Sequence, residues 1–501
     1  MFKNIGSNWI LMFATMANAY VLLPFSLHTI GIEQYGVWLL ITSFTGYLAL
    51  LALGVPMASV RFITHDASAR DYKAMNRTIA TCAGIYILIG LATLLIGVAL
   101  ITVFDSVYSI PASMCSAARM AYVIVVATTS ISFLGQLPHG VLASHHNFVL
   151  RNAVQTIMIL VRLLFTAVLL YWLKSFLAMA IAQFFPVIIE ALIMWAVVKR
   201  HYPEVEFDLR QADWTRMRQI FTFSIYVLIL NIGMQLSFQT DSLVIGKMLN
   251  IGEIPYYSVA NTIMVYAMQF VIGIAAVVMP MATRLHTMCA SDELRKLLYK
   301  WSKITLSLSV LGCLYLAVSG PTLIQIWVGE DFQRRSGPIL QVLMLSGLVF
   351  LPVRGVALPI LMGIGKPEKA TFYFLGTGLL NLILSIVLVG PYGLLGVAVG
   401  TAIPNVVYGL VLLVISAKEL DFRISDYLLR VTALPLLGAI PVVAALLWVH
   451  RWVGSLRWLG LALDGLAAGT VFLTVWIVLV YRRDPDINPR EIIGRWIRQA
   501  A

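Results

Sequence analysis

Long apolar runs separated by short polar stretches dominate the chain, and the runs recur with a length that a bilayer dictates. They are read at 6–29, 36–64, 78–104, 118–142, 151–173, 176–198, 219–249, 255–283, 299–320, 337–363, 370–390, 393–416, 431–450 and 458–481. A membrane-crossing helix needs about 20 apolar residues and satisfies its own backbone polar groups. The pattern therefore predicts an all-α membrane protein of about 14 transmembrane helices. The short alternating segments of a transmembrane barrel are absent from the sequence.

A second pattern lies over the first. Gly31-Ile32-Glu33-Gln34-Tyr35 opens one apolar run, which closes on Pro56-Met57-Ala58-Ser59-Val60-Arg61. Gly252-Glu253-Ile254-Pro255-Tyr256 opens another, closed by Pro280-Met281-Ala282-Thr283-Arg284. Pro138-His139-Gly140 and Pro359-Ile360-Leu361 follow downstream, and the three pairs are offset by 221, 224 and 221 residues. Three ordered pairs with nearly one spacing indicate duplicated halves, an arrangement on which many transporters are built. The expected organisation is two pseudo-symmetric six-helix lobes, 1–200 and 201–417. Two accessory helices at 418–481 and an amphipathic tail at 482–501 follow, the tail with Ile492, Ile493, Trp496 and Ile497 on one face.

Composition narrows the class further. With 60% hydrophobic residues, 12% charged and a mean hydropathy of +0.89, the 501-residue chain has too much apolar surface for a water-soluble core. The net charge of +12 sits in short segments between spans, which argues against nucleic acid as a partner. With the N-terminus placed inside, 26 Lys and Arg fall in inner segments and 7 in outer ones, leaving Arg162 and Arg354 within spans. That bias predicts both termini in the cytoplasm, in a multi-pass cell inner membrane protein. Ala17-Asn18-Ala19 mimics a signal-peptidase site, but the apolar stretch runs on to Leu27 and is read as a span. Ten prolines fall inside spans, among them Pro24, Pro56, Pro138, Pro280 and Pro359, and each removes a helical hydrogen bond. Cys82, Cys115, Cys289 and Cys313 are scattered, and His28, His139, His145 and His146 lack ligand spacing, so neither a metal site nor a cofactor is expected.

Ionisable groups at membrane depth cost at least about 2.5–3.5 kcal/mol each and mark candidate sites. Arg162 lies about 16 Å into its span and Glu190 about 12 Å into the antiparallel next one. They are a structural pair or a substrate and proton site. Arg354 lies mid-span with no sequence-adjacent partner and is assigned to a cavity. Asp241, in Gln239-Thr240-Asp241-Ser242, is either paired with Lys247 or a hydroxyl, or it binds a cation or proton. Arg61 and Arg284 stand at matching inner helix ends, where charge bias and helix dipole favour Arg in any case. Their recurrence in both halves adds a phosphate-binding role, since guanidinium suits bidentate phosphate contact. Phosphate loops, GxSxG and HExxH are missing, and the outer loops are too small to build a sugar-processing site, so an enzyme is not expected.

Gly31-x3-Tyr35-Gly36-Val37-Trp38, Asp241, Tyr256-Tyr257-Ser258 and Ile326-Trp327-Val328-Gly329, taken in order with the duplication, resemble the polysaccharide-biosynthesis flippases. These belong to the multidrug/oligosaccharidyl-lipid/polysaccharide exporter superfamily. The resemblance covers most of the first twelve spans. It implies a V-shaped pair of lobes that opens alternately to each side and turns over an undecaprenyl-diphosphate-linked oligosaccharide for O-antigen, capsule or exopolysaccharide. Arginines on the second and eighth helices line the cavity of the related lipid II flippases, and Arg61 and Arg284 match those helices. The first span carries Asn8, Asn18 and His28 instead of the arginine-rich motif of those flippases, which points away from lipid II itself. The expected site is Arg61, Arg284, Arg354 and Arg162 for substrate, with Asp241 and Glu190 for cation or proton coupling. The expected partners are the polyprenyl-diphosphate-linked glycan, membrane lipids, a counter-flowing cation or proton, and polysaccharide polymerase machinery. The alternatives are a multidrug or lipid II-type exporter and, in another class, a membrane polymerase or ligase.

Overall fold

The computed structural model describes residues 2–275, 277–453 and 457–476; the amphipathic tail expected at 482–501 lies outside them. Every regular element among the described residues is helical. Eleven stretches are long and apolar enough to cross a membrane, or twelve if the bent pair Trp214–Thr222 and Val227–Phe238 is one span. Two of the stretches are themselves double. The 52-residue helix Glu368–Glu419 would be about 78 Å long if straight, more than twice the ~30 Å hydrocarbon layer. It breaks at Gly393 (φ 57, ψ −137), a conformation that needs glycine. Phe2–Gly46 breaks in the same way at Gly31 (φ 78, ψ 171). Opening both breaks and counting the bent pair recovers the fourteen spans.

The described residues form two compact units, Met1–Pro255 and Tyr256–Ala501. The first contains α1 (Phe2–Gly46), α2 (Val55–Ser68), α3 (Tyr72–Ala99), α4 (Ile101–Val107), α5 (Ala112–Ser144), α6 (Phe148–Leu173), α7 (Phe176–His201), α8 (Trp214–Phe238) and α9 (Thr240–Met248). Polar residues start these helices where the sequence supplies them. Asp71, Asn147, Ser175 and Asp213 cap α3, α6, α7 and α8 by accepting from Ala74, Leu150, Leu177 and Thr215 backbone N–H groups. The core of this unit joins α2, α3, α5 and α7 through Val55, Ile79, Tyr86, Leu137 and Met194.

The second unit is built on α10 (Ile254–Ala275), α11 (Val278–Thr287), α12 (Ser291–Val328), α13 (Glu330–Gly363) and α14 (Glu368–Glu419). After these come α15 (Ile424–Tyr427), a π-helical turn at Leu428–Ala433, α16 (Leu434–Val453) and α17 (Arg457–Val475). Val310, Leu446, Ala468, Phe472 and Trp476 lock α16 and α17 onto α12. The interval between the apolar runs read at 299–320 and 337–363 is almost wholly helical. The helix continues through Pro321 to Val328, and Gly329 (φ 112) alone makes the turn into α13. Lipid-facing surfaces are apolar, with Leu95, Leu164, Trp172 and Leu473 among the large side chains left exposed.

Candidate functional site: membrane-embedded charges and broken helices

The sequence repeat has a structural counterpart in each unit. In the first, the helix bearing the closing motif, α2, meets α5 at Gly140, where an added Cβ would lie 3.3 Å from Ser59 Oγ. In the second, α11 meets α13 at Gly363, where a Cβ would lie 2.9 Å from the Met279 carbonyl oxygen and 3.1 Å from Thr283 N. Each helix so held carries one of the predicted arginines. Arg61 on α2 is exposed, with its guanidinium 6.0 Å from the Phe62 ring centroid. Arg284, in the last turn of α11, is exposed as well.

Span two is not one helix. After α1 ends at Gly46 the chain makes a 3-10 turn at Leu48–Ala52, passes through Leu53 (φ 51) and Gly54 (φ 75), and re-enters a helix at Val55 with Pro56 in its first turn. Only glycine fits the second of those positions, since a Cβ on Gly54 would lie 2.7 Å from the Ser224 carbonyl oxygen and 2.6 Å from Val227 Cβ. Span seven also breaks, at Gln239 between α8 and α9. The two breaks are tied together, because the Tyr47 hydroxyl shares a hydrogen bond with Thr240 Oγ1. Asp241, next in sequence and 1% exposed, sits in the first turn of α9, where the positive helix end favours a carboxylate. Its charge bears on Tyr47. Lys247 turns elsewhere, donating to the Val107 carbonyl at 2.8 Å. Broken spans that bring backbone and carboxylate to membrane depth are the usual framework of ion sites in transporters.

Arg162 and Glu190 stand on adjacent helices, α6 and α7, and Glu190 is a charge that the Arg162 guanidinium feels. The direct contact, however, is made by His139: its Nε2 lies 3.1 Å from Glu190 Oε1, with side chains 16% and 25% exposed. Arg354 lies on α13 and is 7% exposed. Its guanidinium stands 5.2 Å from the ring centroids of both Phe350 and Phe374, and Nη1 donates to Met268 Sδ at 2.6 Å. The structure thus gathers Arg162, Glu190 and His139 in one polar cluster of the first unit. It places Asp241 at a separate helix break of the same unit and Arg354 in an aromatic enclosure of the second.

Two further clusters escaped the sequence reading. Buried Asp66 at the end of α2 accepts from Thr78 at 2.7 Å and pairs with Arg216 of α8 at 3.1 Å, across 150 residues of sequence. Nothing local signals that pair. Asp464, on α17, is 0% exposed and pairs with His450 of α16. Here a signal existed, since an acid in the apolar run 458–481 meets the criterion that singled out Asp241.

Fold and embedded charges define the class: a helical multi-pass membrane protein of two compact units with ionisable groups inside its spans. Solved structures with this fold include the lipid II flippase MurJ in an inward closed conformation (TM-score 0.73, 15% identity, 95% of this chain and 100% of that one). An inward-facing multidrug resistance MATE family transporter of the MOP superfamily has a TM-score of 0.68 at 17% identity, covering 81% and 94%. A MOP superfamily transporter from Pyrococcus furiosus gives 0.64 at 16%, covering 83% and 95%. In sequence, the uncharacterized membrane protein EpsK of Bacillus subtilis (strain 168) is 21% identical over 389 residues, 76% of this chain and 75% of that protein. Residues 1–286 match the family described as polysaccharide biosynthesis protein, and the chain belongs to that family.

Proposed function

We propose that this protein is a flippase that carries undecaprenyl-diphosphate-linked oligosaccharide repeat units across the cytoplasmic membrane by alternating access. The cargo serves O-antigen, capsule or exopolysaccharide assembly. The observation that carries the reading is the pair of exposed arginines, Arg61 and Arg284, at repeat-equivalent places on helices held by equivalent glycine contacts. A diphosphate drawn into the membrane needs fixed cations, whereas its polyprenyl tail stays in lipid. Arg354 and Arg162 supply the remaining positive charge, and Asp241 and Glu190 exchange a cation or proton. The family membership and the MurJ-like fold support the assignment. The Lys and Arg distribution supports an inner-membrane location with both termini cytoplasmic. The duplication supports functional lobes at 1–200 and 201–417, with accessory helices at 418–481.

The test is leaflet accessibility of a labelled lipid-linked glycan in proteoliposomes. Wild type is expected to equilibrate the label across the bilayer, Arg284→Ala to slow this at least tenfold, and the triple variant Arg61→Ala, Arg284→Ala, Arg354→Ala to abolish it. Turnover that survives the triple variant removes the arginines from the site. Efflux of cationic drugs instead of lipid turnover selects the multidrug exporter, and new glycosidic bonds select the polymerase or ligase.

A further inference from the structure

A buried polar chain runs through the α12–α16–α17 bundle, away from every residue assigned above. Asp464 is 0% exposed at the centre of this chain. Its Oδ2 accepts from Ser319 Oγ at 2.9 Å and from His450 Nδ1 at 2.6 Å. The other ring nitrogen of His450, Nε2, faces Thr322 Oγ1 at 3.4 Å. Asp464 Oδ1 is buried with no hydrogen-bond partner. Apolar residues close around the chain, and the His450 side chain, 26% exposed, is its one partly open member.

Charge counting gives this arrangement a ligand. With a carboxylate and a neutral imidazole, Thr322 donates to His450 Nε2 while His450 Nδ1–H and Ser319 Oγ–H both donate to Asp464 Oδ2, and the cluster holds one uncompensated negative charge. Burying such a charge is costly. One added proton, on Nε2 or on the orphan Oδ1, brings the cluster to neutrality, as imidazolium–carboxylate or as imidazole–carboxylic acid. Few other charges reach it. Tyr315 of α12, whose hydroxyl donates to the Leu461 carbonyl at 3.0 Å, feels Asp464. Arg451 of α16 and Arg457 of α17 are exposed, and the side chain of α16 in contact with the Asp464 carboxylate is His450. From α13, the side chain brought to this stretch of α12 is the uncharged Gln341, donating to the Ala317 carbonyl at 3.0 Å.

We infer that Ser319, Thr322, His450 and Asp464 form a proton-binding site in the accessory helices, separate from the coupling groups proposed in the first unit. The proton reaches it through His450, the partly exposed member. Its binding neutralises the bundle interior and tightens α16 and α17 against α12. A transporter in a membrane that carries a proton gradient thereby gains a second place to load a proton.

The test is proton uptake by the full chain in nanodiscs, read from the ¹⁵N resonances of His450 and the protonated-carboxyl infrared band of Asp464, with His450→Gln and Asp464→Asn assigning the two signals. One proton is expected to enter the pair as pH falls. Asp464→Asn keeps the shape but removes the charge, and should lower the proton affinity of His450 at least tenfold. Ser319→Ala removes a donor that favours the charged carboxylate, and should raise the pair's affinity severalfold. Those opposite directions are what a purely structural polar contact would not produce. If Asp464→Asn does not fold, the Ser319→Ala direction alone decides. A His450 titration indifferent to both substitutions, or an affinity that falls in Ser319→Ala, overturns the proposal.

Discussion

Arg162 and Arg354, the two arginines within spans, are accommodated in opposite ways. In the first unit Arg162 faces a neighbouring helix that carries Glu190, and His139 shares that carboxylate, so charge is balanced by charge. In the second unit Arg354 is enclosed by two phenyl faces and a thioether. Aromatic quadrupoles and polarizable sulfur stabilise a cation packed against them, at about 0.5–2 kcal/mol per desolvated ring contact. The duplicated halves therefore share their backbone plan, down to the glycine between the motif helix and its partner, while their polar chemistry has diverged.

The sharpest way to break this contrast is to delete both arginines in turn. Arg354→Ala empties a packed enclosure between Phe350, Phe374 and Met268, and its cost is expected near that of a large-to-small core change, about 3 kcal/mol. Arg162→Ala removes a guanidinium that is partly exposed and should cost less than about 1 kcal/mol. Thermal unfolding of the purified variants, compared with Arg354→Lys as a charge-keeping control, measures the difference. Equal losses at the two positions would mean that the aromatic enclosure contributes nothing.

The glycine contacts provide the next test. A methyl on Gly363 meets backbone atoms of α11, the Met279 carbonyl and Thr283 N, which cannot move without shifting the helix. A methyl on Gly140 meets the Ser59 hydroxyl, a side-chain atom bonded to the Pro56 carbonyl at 2.9 Å that has to give by only a few tenths of an ångström. Gly363→Ala is expected to cost about 2 kcal/mol and Gly140→Ala under about 1, by the usual penalties of overpacking. The same measurement serves. A reversed order would show that the Ser59 contact, not the α11 backbone, is the more rigid of the two.

These contrasts also show what the sequence was able to carry. The fourteen spans were legible because hydrocarbon thickness fixes run length, and the repeat because its marks, Pro56 and Pro280, Gly31 and Gly252, are local. The break in span two was not read, because Leu48–Ala52 is an unbroken apolar segment; Gly54 and Pro56 just beyond it mark where the helix restarts, and the tie from Tyr47 to Thr240, 193 residues away, leaves no local sign. Glu190 was found by depth, and read either as the partner of Arg162 or as part of a substrate and proton site, while the contact with His139 was not foreseen. Helix depth fixes one coordinate only, and the rotation of α5 that turns His139 toward α7 leaves no mark in composition. The arginines were placed on their helices from sequence, but whether a guanidinium meets a carboxylate or a phenyl ring depends on which helix lies opposite.

The helix-break tie gives an intermediate effect. Tyr47→Phe keeps the ring and loses the hydroxyl that joins the broken ends of spans two and seven. One buried hydrogen bond is worth about 1 kcal/mol net. Hydrogen exchange at the amides of Leu48–Gly54 and of α9 should accelerate together in the variant. Acceleration in only one of the segments would show that the two breaks are independent, and Asp241 would then owe its position to α9 alone.

The smallest effect tests the first half of the contrast directly. If His139 and Glu190 share charge, a double-mutant cycle of His139→Gln and Glu190→Gln should return a coupling of about 0.5–1 kcal/mol, modest because both side chains retain some exposure. Adding Arg162→Gln separates the two candidate partners of Glu190. A contact at 3.1 Å should couple more strongly than a guanidinium acting through space, so the His139–Glu190 term should exceed the Arg162–Glu190 term. Were the order reversed, Arg162 and not His139 would be the true counter-ion of Glu190, and the balance of charge by charge in the first unit would run between α6 and α7 alone.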